Sequence, residues 1–445
     1  MINGICTGVF VTRKLNQIVM AARLFTQPTF LRNSNLYEVN VRQFTVEGTF
    51  KAFEQHLPRL KDMGVEILWM MPIHPIGIVK RKGILGSYYS IQNHKGVNPE
   101  FGTEQDFQDL IIKVHSLGMK IIIDWVANHT SWDNVWTNSN PEFFTRDEDG
   151  LFLAPYDWSD VIQIDHSNEA EQAAMIDAMK YWVIEFNIDG FRADLAHLTP
   201  LPFWLKARLQ LSAFKKNLIW LAETEEVNYH DAFDISYTWK WMHTTEQFVT
   251  GEKTLADCIK VLSDYKKDFE QNDLRLFFTS NHDENTWNGS EYDKYGIFAK
   301  AWAAFSILYA SVPLIYSGQE IPNYKRLQFF EKDELQWTEN IQLHEFYKTL
   351  LLLRKNNFVF KDLKAKDIVI DESLIDKHIV LMTLKNDQAV VICMFNFNKI
   401  IVNETLQIDI PNGQYREIFT GHETTINQHF HFENEAGGFS VLEKI

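Results

Sequence analysis

Cysteine is scarce: Cys6, Cys258 and Cys393 are odd in number and far apart, so neither a disulfide framework nor a zinc cluster is suggested, and each reads as an inert core thiol. Positive charge is in deficit too. With 43 Lys and Arg against 59 Asp and Glu the formal net charge is −16, and no basic run is long enough to track a phosphate backbone, so nucleic acid is not expected as a partner. Apolar runs stay short. The opening segment, MINGICTGVFVTRKLNQIVMAARLF, has no charge before its apolar residues, and Arg13 and Lys14 interrupt it before a signal-peptide core accumulates. Neither a secretion signal nor a membrane span is expected, and the placement that follows is cytoplasmic. Internal repeats and low-complexity tracts are also missing. Residues 1–34 precede any regular pattern and receive no role.

Aromatics, by contrast, are plentiful: 13 Trp, 15 Tyr and 33 Phe in 445 residues, suited to apolar packing first and to sugar-ring contact second. At 45% hydrophobic and 23% charged, the chain can build one large domain and a smaller one. From Leu36 onward, short apolar runs alternate with longer segments of helical period. The runs are LYEVNV (36–41), VEILWMM (65–71), KIIIDWV (120–126), GFRADLA (190–196), NLIWLAE (217–223), FDISYTW (233–239), LRLFFTSN (274–281) and VPLIYSGQ (312–319). Almost all are apolar on both alternating faces, as strands covered on both sides by helices must be. Eight of them predict an α/β fold, a closed (β/α)8 TIM barrel over residues 35–129 and 166–358. The connection over 130–165 is too long for an ordinary βα loop and reads as a short inserted lobe after strand 3. Beyond Phe360 the helical period stops, and turn signals such as PNG and AGG punctuate a C-terminal all-β domain, a sandwich over 359–445.

In a parallel barrel the chemistry gathers where the strands end. The polar residues interrupting the apolar runs fall there: Asp124, Asn128 and His129 after the third, Arg192, Asp194 and His197 in the fourth, Glu223 after the fifth, and Asn281, His282 and Asp283 after the seventh. Each has a plain structural explanation when taken alone. Asp194 could simply pair with Arg192, since side chains two apart on a strand share a face. Glu223 could favour a helix start. Asp124 and Asn128 could anchor a turn and a cap, and either histidine could be a satisfied core residue. Together, acids and histidines at matching ends of four strands ask for a common site, because a buried carboxylate without a partner costs several kcal/mol.

DWVANH (124–129), GFRADLAH (190–197), Glu223 within LAETEE, and FFTSNHDENTW (277–287) resemble, in order and spacing, the four conserved regions of the α-amylase superfamily of glycoside hydrolases. GSYYS (86–90), GVNPEFGT (96–103) and VPLIYSGQE (312–320) extend the resemblance over about residues 35–355. It implies that Asp194 is the nucleophile, Glu223 the general acid/base and Asp283 the acid that grips the reacting sugar. It also implies that Arg192 orients Asp194, that His129 and His282 bond the sugar, that Tyr89 stacks on it, and that Asp124 and Asn128 organise the site. The chemistry wants the same types: a protonated acid at the leaving oxygen and an ionised carboxylate at the anomeric carbon. The adjacent Arg192 is expected to lower Asp194, while Glu223, with no such neighbour in sequence, is free to sit higher.

Three positions depart from the family pattern. Asn93 stands where an aspartate commonly follows the stacking tyrosine, His197 stands alone where many members have lysine-histidine, and Gln163 replaces an aspartate of many calcium-binding members. In those members the ion sits between lobe and barrel, on an asparagine like Asn128, a lobe aspartate and a carbonyl near the residue matching His197. With Gln163 in that loop, no metal and no other cofactor is expected, calcium remaining possible through Asp160 or Asp165. The expected activity is retaining cleavage of α-1,4-glucosidic bonds in starch or maltooligosaccharides. The alternatives are a cyclomaltodextrinase, oligo-α-glucosidase or glucan transferase on the same scaffold and, from another class, an inactive carbohydrate-binding homologue. Nothing in the sequence indicates an oligomeric state.

Overall fold

The computed structural model describes residues 23–427 and 429–445. Cys6, and with it the reading of the first residues as lacking a secretion signal, lies outside them. Among the described residues no helix is long and apolar enough to cross a membrane.

Each of the eight apolar runs supplies one strand of a closed barrel. These are β1 (Leu36–Val39), β2 (Ile67–Met70), β3 (Lys120–Trp125), β6 (Gly190–Ala193), β7 (Ile219–Ala222), β8 (Ile235–Tyr237), β9 (Leu274–Phe277) and β10 (Val312–Tyr316). All neighbours are parallel, in the order β1-β10-β9-β8-β7-β6-β3-β2, closing back on β1. Alternation along each strand sorts the side chains into two shells. Leu36, Ile67, Ile122, Ile219, Leu276 and Leu314 fill the barrel, while Tyr37, Leu68, Ile121, Phe191, Trp220 and Ile315 face the helices. Leu31, from a single 3-10 turn over Thr29–Asn33, joins the interior set. The described part of the segment left without a role therefore helps to floor the barrel.

The lobe opens directly from β3. Strand β4 (His129–Ser131) pairs antiparallel with β5 (Val161–Gln163), with a helix over Val135–Ser139 between them. His129 is thus the first residue of the lobe's own hairpin. At the C-terminus a six-stranded sheet runs β11 (Ile368–Ile370), β12 (Ile379–Lys385), β13 (Val390–Asn396), β18 (Phe439–Lys444), β15 (Gly413–Glu417), β16 (Glu423–Ile426). A two-stranded sheet of β14 (Val402–Gln407) and β17 (His429–Asn434) packs on one face of it, through Leu381, Ile392, Met394, Leu406 and Phe432. The other face carries Phe395 and buried Cys393 toward the barrel, where Phe397, just past β13, stacks on Trp302 with ring centroids 4.0 Å apart. Trp302 lies on the helix Ala299–Leu308, of which every residue but Lys300 is buried, because the barrel covers one side and the β-domain the other.

Gly190, which opens β6, has φ +155°, and a Cβ there would stand 2.0 Å from the carbonyl oxygen of Ile219 on β7. Both partners are backbone, so relief requires parting two strands. Gly190→Ala should therefore cost about 3–5 kcal/mol, read as a large fall in melting temperature; an unchanged melting temperature would show that the barrel can spread at this point.

Candidate active site

The mouth of the barrel is organised by one side chain. Arg192, fully buried on β6, directs Nη1 to Asp124 Oδ1 (2.9 Å), Asp124 Oδ2 (3.1 Å) and Asp194 Oδ1 (3.0 Å), and Nε donates to the Tyr237 hydroxyl (3.2 Å). Its Nη2 stands 2.8 Å from Glu223 Oε2. Parallel register accounts for this convergence: Asp124 is paired with Arg192 across β3 and β6, and Glu223 directly follows β7 on the other side. The guanidinium also lies 4.9 Å from the Trp69 ring centroid, and Trp69 Nε1 donates to Asp124 Oδ2 (3.2 Å).

After Asp194 the chain turns sharply. Leu195 takes a left-handed conformation (φ 38°, ψ 52°), which orients its N–H to donate to Glu223 Oε2 at 2.8 Å. Such a conformation at a leucine is strained and persists only where its surroundings fix it. Past β9, Asn281 Oδ1 accepts the N–H of Glu284 and starts a π-helical turn over Glu284–Asn288, which leaves Asp283 facing the cleft. His282 is held on both nitrogens, with Nδ1 2.5 Å from Glu38 Oε1 and Nε2 2.7 Å from the Tyr89 hydroxyl and 3.2 Å from Asp283 Oδ2. Tyr89 in turn donates to Asp124 Oδ2 (3.1 Å).

Tyr89, His129, Asp194, Glu223, His282 and Asp283 all border one cleft of about 390 Å³. Trp158, Trp287, Phe329 and Phe330 complete its aromatic wall, and Lys82 and Asp160 pair at 2.8 Å on its rim. Arg192 and Asp124 lie beneath it. Asn128 stands apart from the cleft lining, its Nδ2 3.4 Å from His129 Nδ1. His197 is exposed and does not line the cleft. Glu38, Trp69 and Tyr237 escaped the reading of the sequence. Trp69 and Tyr237 pass for ordinary strand aromatics, whereas Glu38 carried a signal, a lone charge inside an apolar run.

The electrostatics correct one expectation. Arg192 does not serve Asp194 alone, since it lies equally close to Glu223, which is its neighbour on the adjacent strand though not in sequence. Burial pushes the Asp194 carboxyl well above the ordinary carboxylate range and raises Glu223, Asp124 and Glu38, with Arg192 or His282 pulling the other way. For Asp283 burial also acts upward, but His282 outweighs it and the carboxyl is lowered. Burial brings His129 down to about 4, so its imidazole is neutral near pH 7 and can exchange hydrogen bonds with a hydroxyl. Five carboxyls thus gather around Arg192 and His282, and four of them, Asp124, Asp194, Glu223 and Asp283, give up their protons as a set.

Calcium takes six to eight oxygens and commonly more than one carboxylate, so the acids near the exit of the lobe are the groups it would need. Asp160 is engaged by Lys82, and Asp165 Oδ1 accepts the N–H of Ser167 (2.9 Å). Gln163 contributes no charge and is tied by backbone pairing to His129. The lobe's exit is fastened otherwise: His166 Nε2 lies 3.0 Å from the Ala127 carbonyl oxygen, and its Nδ1 lies 2.9 Å from buried Glu171.

A model of the α-amylase catalytic domain family matches residues 25–152. Among solved structures, an α-amylase from Lactobacillus plantarum is similar with a TM-score of 0.85 at 28% identity, over 94% of this chain and all of that one. A noncanonic maltogenic α-amylase from Thermotoga neapolitana gives a TM-score of 0.85 at 29% identity, over 93% and 99% of the two chains. Alpha-amylase 2 of Dictyoglomus thermophilum is 22% identical over 462 residues, covering 92% of this chain and 76% of that protein.

A carboxyl whose pKa is raised on folding lowers stability above its unfolded value, near 4, and this penalty vanishes once pH is low enough to protonate both states. Asp194→Asn should therefore raise the melting temperature at pH 7, each unit of upward shift corresponding to about 1.4 kcal/mol, and the gain should disappear toward pH 4. A variant less stable than the wild type at pH 7 would contradict the direction given for Asp194.

Proposed function

The chain belongs to the α-amylase superfamily of glycoside hydrolases, and from that premise we propose that it cleaves α-1,4-glucosidic bonds of starch or maltodextrin with retention of configuration. The observation that carries this reading is the placement of Asp194 and Glu223 on one guanidinium at the floor of one cleft. Asp194 attacks the anomeric carbon as the carboxylate that Arg192 holds at 3.0 Å, while the proton these interacting carboxyls share stands on Glu223 and passes to the departing glycosidic oxygen, so the C–O bond breaks as the glycosyl ester forms. Glu223, now ionised, takes a proton from water, whose oxygen displaces Asp194 and restores both groups. Asp283, with His282 beside it, is set to hold hydroxyls of the reacting sugar, and neutral His129 faces the same sugar from the lobe. Presence of all three carboxylates argues against an inactive binding homologue.

The modest cleft and the likeness to a maltogenic enzyme favour a second reading on the same scaffold, a cyclomaltodextrinase, oligo-α-glucosidase or glucan transferase acting on short chains. The shared chemistry is tested by proton NMR of fresh product: α-anomers should appear first, and initial β-anomer would overturn both assignments. Glu223→Gln should slow cleavage of natural glucans by about 10²–10⁴-fold and spare the first step on an activated aryl glycoside; equal losses would remove Glu223 as the acid. A product profile on soluble starch, maltoheptaose and cyclodextrin separates the two readings. Rapid loss of iodine colour supports endo action on starch, and preference for cyclodextrin or short chains supports the second.

The enzyme is further proposed to work without calcium at the lobe, on the strength of the donor set described above. Exhaustive EDTA treatment and desalting should leave activity and melting temperature within error. A fall in both, restored by Ca²⁺ and not by Mg²⁺, would overturn this.

A further inference from the structure

Glu38 lies on the floor of the site and belongs to none of the segments that carry the family resemblance. It is the one charged residue of β1, fully buried, with Oε1 2.5 Å from His282 Nδ1 and Oε2 buried without a hydrogen-bond partner. A carboxylate is costly at such a place unless a charge answers it. From these contacts we infer that Glu38 is a positioning residue, which keeps His282 doubly protonated so that its Nε2–H is a fixed donor at the sugar-binding end of the cleft. The inference rests on the proposed glycosidase reading.

The alternatives for His282 are few. A neutral ring bonded to Glu38 would carry its proton on Nδ1 and turn a bare Nε2 lone pair toward Asp283 Oδ2 at 3.2 Å, a repulsive contact. The imidazolium donates on both sides, to Glu38 and toward the Tyr89 oxygen and Asp283. Tyr89 is then free to give its own proton to Asp124, which Arg192 holds. The charge of Glu38 thus sets the direction of a hydrogen-bond chain from β1 through His282 and Tyr89 to Asp124. The groups facing the pair are Asp283, Tyr89, Asp124, Glu223 and Arg192 around the mouth, with the Tyr237 and Tyr316 rings from β8 and β10. Of these only Arg192 opposes a charged histidine, and its own contacts go to Asp124, Asp194 and Glu223. Burial disfavours the imidazolium, yet Asp283 and Glu38 outweigh it and raise His282 well above the ordinary histidine value.

Glu38→Gln keeps the size of the side chain and an acceptor for Nδ1–H while removing the charge. In that variant kcat/KM should fall about 10–100-fold at pH 8, as expected when an active-site donor is lost, and the deficit should shrink toward pH 5 as His282 regains its proton. The alkaline limb of the pH profile should therefore move to lower pH, and Glu38→Asp should recover part of that displacement. A Glu38→Gln profile of wild-type shape would reduce Glu38 to a packing residue and overturn the inference. Titration of ¹⁵N-histidine wild type, with His282→Gln to assign the signal, needs neither a stable Glu38 variant nor turnover. Persistence of the imidazolium signal past pH 8 is expected, and titration near 6.5, the ordinary value, would overturn the inference while leaving the glycosidase reading to be judged by its own product anomer.

Discussion

A single buried guanidinium sets the architecture of the site. Arg192 has no water to turn to, and three carboxylates from three consecutive barrel strands answer it. The arrangement is possible because the strands are parallel and in register, so that their polar ends meet at one level. Removing the cation would strand several negative charges in a medium that cannot screen them, and removing one acid would shift the burden to its neighbours. Positioning and charge are thus one problem here, solved by the same contacts.

Much of this was legible in the chain. Strands covered on both faces show themselves as apolar runs, and charges in or beside such runs stand out: Arg192 and Asp194 by their spacing, Glu223 by closing its run and Asp283 by standing two residues past its own. Burial and partnership across the barrel were harder to read. Glu223 has no basic neighbour in sequence, yet register places Arg192 beside it, so the opposition drawn from sequence between a lowered Asp194 and a higher Glu223 gave way to a shared field. Glu38 was overlooked because β1 holds no motif, although its lone charge obeys the rule that exposed the others. Trp69 and Tyr237 could not be told from core aromatics, since the indole N–H and phenol that serve Arg192 and Asp124 are invisible to apolar patterning. Segment 23–34 has too short a turn to register as a periodic element, and only closure of the barrel gives Leu31 a place.

The lobe is fastened to the barrel by contacts between the chain's own residues. Near Gln163 of the exit strand, Asp160 pairs with Lys82 at the cleft rim and Asp165 accepts a hydrogen bond within its own turn. His166, between Glu171 and the Ala127 carbonyl, then joins the exit of the lobe to the end of β3. The bond is directional and made by the chain itself, so the shape of the cleft wall is inherited from the polypeptide.

The helix Ala299–Leu308 has a consequence for how this protein can be taken apart. A barrel helix ordinarily keeps one face for solvent, and a cut beyond the barrel would then cost little. Here that face is spent on the β-domain, with Trp302 and Phe305 against Phe397 and Phe395. Severing the chain after the barrel would bare an aromatic seam in water, an invitation to aggregate. The boundary that composition draws near residue 359 is therefore a boundary of architecture only. Barrel and sandwich share one packed aromatic seam, so neither surface there is finished without the other.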